Sequence, residues 1–226
     1  MDWPALRLSL WLGLSTVVIL LPFALWLGRQ LALRRFRGRG VIEAAVALPL
    51  VLPPTVLGFY LLTAFGAGTW FGGAFQAIFG RTLAFSFEGL LVASAIANIP
   101  FAVQPIQNAF GAIPPNLREA GATSGMTPWA VFRRIELPLA WPGIATAIVL
   151  TFAHTLGEFG VVLMVGGNIE GETRTLSVSL YDKVQGMDLQ SAHVMALALV
   201  GVSLLALTLV LAFDRVGQRG RALQER

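Results

Sequence analysis

The chain has no cysteine, and charged residues make up only 12% of its 226 positions. Without cysteine it can form no disulfide, no cysteine-ligated metal site and no thiol active site. A soluble domain carries about 25% charged residues, so the low charge argues against an ordinary water-soluble fold. Hydrophobic residues reach 56%, which excludes intrinsic disorder because disorder needs low hydrophobicity and high net charge. We therefore expect an integral membrane protein.

Five stretches, each with a run of at least 21 residues free of charge, are long enough to cross a bilayer, which takes about 20 apolar residues in a helix. The predicted spans cover residues 8–28, 43–65, 89–112, 139–161 and 190–213. The second stretch is predicted as one helix that ends near Phe65 and leads into a glycine- and aromatic-rich outer segment, 66–87, expected to be an interfacial loop. A cleaved signal peptide fits the first stretch poorly, because the apolar run is too long and no small-x-small site precedes Arg29. We expect a single all-α membrane domain over residues 1–226.

The distribution of basic residues predicts the orientation of the chain in the membrane, because cytoplasmic loops carry an excess of arginine and lysine. Twelve of the 16 basic residues follow spans one, three and five, and only Arg7, Arg81, Arg174 and Lys183 fall on the opposite side. This bias places the N-terminus outside and the C-terminus in the cytoplasm. It also explains the net charge of +4, so no nucleic-acid binding is expected. The cytoplasmic set is Arg29, Arg34, Arg35, Arg37, Arg39, Arg118, Arg133, Arg134, Arg215, Arg219, Arg221 and Arg226.

The cytoplasmic segment 114–138 contains the signals of a short helix, a turn and a second short helix. Two prolines at its start end span three, because proline lacks an N–H and disfavours helix at the preceding residue. Gly125 can reverse the chain after a helix over 117–123. Thr127 followed by Pro128 is a helix-start signal, and we expect the second helix to run to about residue 136, where Pro138 stops it. The alternative is an amphipathic connector lying on the lipid headgroups.

The same segment resembles the EAA motif of ATP-binding-cassette importer permeases, which reads E-A-A, three residues, G, nine residues, I-x-L-P. Here the spacing is the same, and the one departure is Gly121 in place of the second alanine. In that family the segment is the coupling helix, which sits in a groove on the cytoplasmic ATPase subunit. The resemblance implies that coupling involves Glu119, Ala120, Gly121, Gly125, Met126, Thr127, Pro128, Arg133, Ile135, Leu137 and Pro138.

Four other stretches resemble the molybdate branch of this permease family. They are LPPTVLG at 52–58, NIPF at 98–101, LGEFG at 156–160 and GGNI at 166–169. The resemblance extends over about residues 9–214, and sulfate and tungstate permeases, which share much of it, are the alternatives. It implies a type I importer permease in a bacterial or archaeal inner membrane. Such a permease works as a homodimer in the lipid bilayer, with two cytoplasmic ATPase subunits and an external substrate-binding protein.

The sequence has no phosphate-binding loop of the form GxxxxGK[ST], and its single lysine, Lys183, lies in a predicted outer segment. A Walker-type site needs that lysine and a cradle of backbone amides. We therefore expect no catalytic residue and no cofactor in this chain, with ATP and Mg²⁺ bound by the partner ATPase. We expect no metal site either, because His154 and Glu158 offer only two ligands.

The candidate pathway and gate residues are Thr55, Asn98, Gly157, Glu158 and Gly160. Thr55 and Asn98 either line the pathway or satisfy carbonyls freed by neighbouring prolines. His154 lies one turn before Glu158 on the same helix face, and ionisable residues at membrane depth indicate function. One hypothesis is a proton-coupled secondary transporter in which His154, Glu158 and His193 relay protons. The other is that Glu158 pairs with Arg174 or Arg81, or caps a following turn and so anchors the backbone of the gate, since a carboxylate repels a divalent oxyanion.

Overall fold

The computed structural model describes the backbone of residues 1–222 and the side chains of residues 1–213. Arg215, Arg219, Arg221 and Arg226, which contributed to the predicted orientation, have side chains outside this range. The described part is helical, with a π-helical turn at Phe132–Glu136. The α-helices are α1 Trp3–Leu33, α2 Arg39–Val51, α3 Pro54–Phe65, α4 Trp70–Phe79, α5 Phe87–Gly111, α6 Pro115–Thr123, α7 Pro128–Val131, α8 Leu137–Gly157, α9 Gly160–Gly166, α10 Leu176–Gln185 and α11 Leu189–Ala222.

Four helical stretches of the described chain are long and apolar enough to cross a membrane on their own. They are α1, α5, the continuous stretch Pro128–Gly157, and Leu189–Phe213 of α11. Helices α2 and α3 reach the required length only together, so there are four spans, or five if this pair is one broken span. The prediction of an all-α membrane protein with about five spans is confirmed.

The prediction of one helix over 43–65 is wrong, because α2 and α3 meet at an angle of 109°. Leu52 and Pro53 between them have extended backbones, with ψ of 135° and 133°. The residue before a proline is pushed out of the helical region, and two successive prolines impose this on both residues. Pro54 then takes the first helical position of α3, where its missing N–H costs nothing.

The segment after α3, which the sequence predicts to be an outer interfacial loop, is more ordered than expected because it contains α4. Thr69 caps this helix by accepting a hydrogen bond from Gly72 N–H at 3.0 Å. Gly80 ends it with a φ of +69°, a left-handed conformation that favours glycine. The aromatic residues of the segment remain accessible, and Trp70 is 88% exposed.

The prediction that Pro138 ends a helix is wrong. The helix that begins at Pro128 continues through the π-helical turn into α8 and ends at Gly157. Leu137 N–H bonds to the carbonyl of Phe132, five residues earlier. This wider turn directly precedes Pro138, where a regular helix would be disturbed by the missing N–H and the ring. The helix then ends four residues before the predicted limit of span four, and α9 begins at Gly160.

The main hydrophobic core lies where α1, α5 and α8 pack together. Its largest fully buried side chains include Leu31, Ile106, Phe110 and Ile144. Glycine allows close helix approach, since a Cβ at Gly28 of α1 would lie 2.8 Å from Ile106 Cγ2, a use of small residues common between membrane helices. The core therefore holds the ends of α1 and α5 against the segment that leads into α8.

Candidate functional site

The segment that resembles the coupling motif forms α6, a reversal at Gly125 and the start of the long helix. Gly125 has a φ of +78°, and Thr127 Oγ1 accepts a hydrogen bond from Ala130 N–H at 3.3 Å. Seven of the predicted coupling residues are exposed, and Trp129 beside them is 68% exposed. The exposed ones are Glu119, Ala120, Gly125, Thr127, Pro128, Arg133 and Pro138. We call Glu119, Ala120, Gly125, Pro128, Trp129 and Arg133 the coupling surface.

The remaining predicted coupling residues lie behind this surface. Met126, Ile135 and Leu137 are half-buried, and Gly121 is buried. A Cβ at Gly121 would lie 2.7 Å from Ile135 Cδ1 and 3.2 Å from Val131 Cγ2. The one position that departs from the motif is therefore the point where α6 packs against the π-helical turn.

A buried carboxylate connects this element to the transmembrane helices. Glu136 is 1% exposed, and its Oε2 accepts a hydrogen bond from Arg29 Nε at 2.6 Å. Its Oε1 lies 3.3 Å from Arg118 Nε, an ion pair without hydrogen-bond geometry. Arg118 also donates to the carbonyls of Phe110 and Ile113. Glu136 thus joins the end of α1, the end of α5 and α6, and sequence reasoning missed this role. The available signal was a glutamate two positions after the adjacent arginines Arg133 and Arg134.

At the opposite end of α8, Glu158 lies at a break between two helices. Its backbone is extended, with ψ of 126°, and Ser177 Oγ donates to its carbonyl at 2.7 Å. Glu158 Oε1 accepts a hydrogen bond from Val161 N–H at 3.0 Å. The carboxylate therefore caps the first turn of α9. Arg81 and Arg174, the other suggested partners, pair instead with Glu88 and Glu170.

A partly buried polar network continues from Glu158 to α5. His154 Nε2 lies 3.6 Å from Glu158 Oε2, and His154 Nδ1 lies 3.2 Å from Asn98 Oδ1. Asn98 Nδ2 donates to Thr155 Oγ1 at 3.0 Å and to the Ser94 carbonyl at 2.8 Å. These contacts join α5 to α8 through Asn98. Asn98 is 0% exposed, so its side chain lies on no surface of the single chain.

Two of the other sequence-predicted gate residues meet where α3 crosses α9. A Cβ at Gly160 would lie 2.8 Å from Pro54 Cβ and 3.5 Å from Thr55 N. Thr55 is exposed at the start of α3, and Gly157 has open space around the position of a Cβ. Asn98 and Glu158 are thus linked through His154, and Thr55 and Gly160 adjoin each other.

The third residue of the suggested proton relay is not part of this network. His193 is exposed on α11, and no hydrogen bond or ion pair links it to His154 or Glu158 in the described part of the chain. Among the residues that the structure describes, no group of three or more His, Asp or Glu side chains could hold a metal ion.

Comparison with known proteins gives consistent results. Residues 20–220 match the family described as "Binding-protein-dependent transport system inner membrane component". The "Molybdenum transport system permease protein ModB" of Azotobacter vinelandii is 49% identical over 210 residues, which cover 91% of each chain. The "Sulfate transport system permease protein CysT" of Escherichia coli (strain K12) is 32% identical over 185 residues, which cover 82% of this chain and 66% of the relative. A crystal structure of a bacterial ABC transporter that imports alginate has a similar fold, with a TM-score of 0.69 at 18% identity over 96% of this chain and 78% of that chain.

Proposed function

The chain belongs to the family of binding-protein-dependent transport system inner membrane components, and we propose that it is the permease subunit of an ATP-driven molybdate importer. The assignment of molybdate as the substrate rests on the 49% identity to a molybdenum permease over 91% of both chains. The sulfate permease is less similar, at 32% identity, so sulfate is the less favoured substrate, with tungstate as the third. The family description places its members in the inner membrane, and the four or five apolar spans of the described chain fit a multi-pass protein.

The partners follow from the same proposal. Two cytoplasmic ATPase subunits dock on the coupling surfaces of a permease homodimer and bind the ATP and Mg²⁺, so this chain performs no hydrolysis itself. An external binding protein delivers the anion to the opposite face, where the N-terminus lies. The polar turn at 168–172, exposed throughout, is the candidate contact for that protein. The exposure of the coupling surface supports the ATPase contact.

The long helix provides the mechanical link between the ATPase and the outer end of the pathway. It runs without a break from Pro128 to Gly157, about 45 Å at 1.5 Å per residue. Pro128 belongs to the coupling surface, and Glu158 directly follows the last residue of the helix. A displacement of the coupling surface by the ATPase therefore moves the residue that caps α9. Glu136 transmits the same displacement to α1 and α5 through Arg29 and Arg118.

The gate of this proposal lies at Thr55, Asn98, Gly157, Glu158 and Gly160. Glu158 serves as a backbone anchor, because its Oε1 is held by Val161 N–H and a carboxylate would repel an oxyanion dianion. Tight packing of α9 against α3 at Gly160 makes the two helices move together. Release of the Glu158 cap would let this pair shift and open the pathway outward.

The proton-coupled transporter is the second candidate, and the 3.6 Å approach of His154 to Glu158 is the observation in its favour. One experiment separates the two functions. The chain is reconstituted in liposomes with its ATPase and its binding protein, with molybdate, tungstate or sulfate as the loaded anion. We expect ATP hydrolysis that is stimulated by molybdate-loaded binding protein and lost in Glu119→Lys and Gly125→Trp, both on the coupling surface.

Anion uptake driven by a proton gradient in liposomes without ATPase would contradict the proposal and favour His154 and Glu158 as a relay. Stimulation by sulfate-loaded rather than molybdate-loaded binding protein would keep the importer and change its substrate. Tyr60→Phe is a suitable control, because Tyr60 is exposed on α3 and belongs to neither the coupling surface nor the gate.

A further inference from the structure

A cavity of about 640 Å³ lies among α2, α5, α8 and α11, between the Asn98–His154 network and the coupling surface. Phe101 lines it and also stacks on the His154 ring, with a centroid distance of 4.1 Å. One wall of the cavity is therefore in direct contact with the network that holds Glu158. A cavity needs only ~15 Å³ to hold one water, so this cavity has room for an anion that keeps part of its hydration shell.

Three polar side chains line this cavity from two helices. Gln104 and Asn108 are four residues apart on α5 and therefore share a face. Thr146 lies on α8, three residues after Gly143, where a Cβ would lie 2.8 Å from the Pro105 carbonyl oxygen. This close approach of α8 to α5 brings the three side chains to one opening. Thr146 is 7% exposed, and its hydroxyl has no hydrogen-bond partner among the described residues.

The chemistry of the lining suits an anion that passes through. Each carboxamide provides two N–H donors, and the threonine hydroxyl provides one. Within the described part of the chain, no charged side chain lines the cavity. A carboxylate would repel the anion, and a cation would hold it too firmly, since conduction requires binding that is weak enough to allow exit. Neutral donors meet both requirements.

We propose that this cavity is a transit site for a tetrahedral oxyanion dianion, bound through the side chains of Gln104, Asn108 and Thr146. The inference rests on the proposed function and adds the residues that contact the substrate after it passes the gate. It assigns the recognition of the anion inside the membrane to hydrogen-bond donors of α5 and α8. The buried, unpaired hydroxyl of Thr146 gains its partner when the anion is present.

The natural absence of cysteine allows a direct test by single-cysteine variants. Asn108→Cys and Thr146→Cys are prepared in the complex with ATPase and binding protein, with Thr151→Cys as the matched control. Thr151 lies on the same helix as Thr146, is 1% exposed and is also unpaired, but it does not line the cavity. The probe is an anionic methanethiosulfonate reagent, applied with sodium molybdate or with sodium chloride at equal ionic strength.

We expect the Asn108→Cys and Thr146→Cys variants to react and the Thr151→Cys variant to remain unmodified. Molybdate should slow the reaction about tenfold at ten times its dissociation constant, because only the empty fraction of sites reacts. Chloride should give no protection. If the Thr146→Cys complex does not assemble, the Asn108→Cys variant still tests the inference, because Asn108 is exposed and lines the same cavity.

Equal reaction rates in molybdate and chloride would overturn the inference. The inference would also be overturned if the cavity cysteines reacted with an uncharged maleimide but not with the anionic reagent, because the cavity would then be filled by lipid. Molybdate uptake by the unmodified chain and by Thr151→Cys distinguishes this failure from that of the proposed function. Loss of uptake in both would contradict the importer itself, whereas normal uptake without protection would contradict only the transit site.

Discussion

Glu136 Oε2 lies 2.6 Å from Arg29 Nε, although 107 positions separate the two residues. The Glu136 side chain is 2% exposed and that of Arg29 is 28% exposed, so the pair is largely shielded from water. Arg118 on the other carboxylate oxygen completes a three-residue contact. In a membrane permease this contact joins α1 and α6 to the start of the helix that leads to Glu158. Its integrity should affect both folding and coupling.

Replacing Glu136 by alanine leaves two arginines without their shared carboxylate. We expect a loss of about 3 kcal/mol in the free energy of unfolding, which is the typical destabilisation when one partner of a buried ion pair is removed. Thermal unfolding of the purified protein in detergent measures the change. The control is Glu170→Ala, because Glu170 is 77% exposed in its pair with Arg174 and should change stability by less than about 1 kcal/mol. Equal effects of the two substitutions would contradict the role given to Glu136.

Replacing Gly121 by alanine would restore the usual motif, and yet it should impair the packing of α6 against the π-helical turn. The new Cβ would lie 2.7 Å from Ile135 Cδ1, and overpacking of this kind costs about 1–3 kcal/mol. Ile135→Val removes the Cδ1 methyl group. Gly121→Ala should therefore reduce stimulated ATP hydrolysis clearly less in the Ile135→Val background than in the unmodified chain. A double-mutant cycle on binding-protein-stimulated ATP hydrolysis measures the coupling. Additive effects would show that the two residues do not meet.

Two different replacements of Glu158 can separate its role as the cap of α9 from the role of its negative charge. Glu158→Gln keeps an oxygen for Val161 N–H, whereas Glu158→Leu removes it and should destabilise the start of α9 by about 1 kcal/mol, as loss of a helix cap does. We expect glutamine to retain binding-protein-dependent molybdate uptake and leucine to give leakage of molybdate without ATP. Equal loss of uptake in both variants would favour proton relay through His154.

Asp2 connects the start of α1 to α10 on the predicted outer side. Burial raises the pKa of Asp2, but the hydrogen bonds from Ala5 N–H and Ser179 Oγ, with the charges of Arg174 and Lys183, lower it overall. A carboxyl with a lowered folded pKa stabilises the protein above its unfolded pKa of about 3.9, and the stabilisation is lost as pH falls through the folded value. The protection of Ala5 N–H against hydrogen exchange, measured relative to the intrinsic exchange rate at each pH, should therefore fall in acid, and Asp2→Asn should remove most of that pH dependence. An unchanged acid response in Asp2→Asn would contradict this assignment.

Local signals in the sequence explain which parts of the structure were predictable. Long uncharged runs predict the number of spans, and Gly125 and Thr127 mark the turn of the coupling segment through short-range backbone rules. The bend at Pro53 was missed because the uncharged run continues through it. The continuation past Pro138 depends on a π-helical turn that hydrophobic spacing does not reveal. Contacts such as Glu136 with Arg29 or Asn98 with His154 bring together distant positions, and only the packing of α1, α5 and α8 decides them.

Trp129 offers the most direct test of the coupling surface. It is 68% exposed, although exposure of so large an aromatic side chain is unfavourable in water, and tryptophan is enriched among the residues that dominate protein interfaces. Trp129→Ala should weaken the complex with the ATPase about 30-fold, the equivalent of a 2 kcal/mol interface residue, as measured by the fraction of ATPase that co-purifies across a dilution series. Trp70→Ala is the control, because Trp70 is 88% exposed on α4, which the predicted orientation places outside. If the two variants retained the same amount of ATPase, the docking face would have to lie elsewhere on the chain.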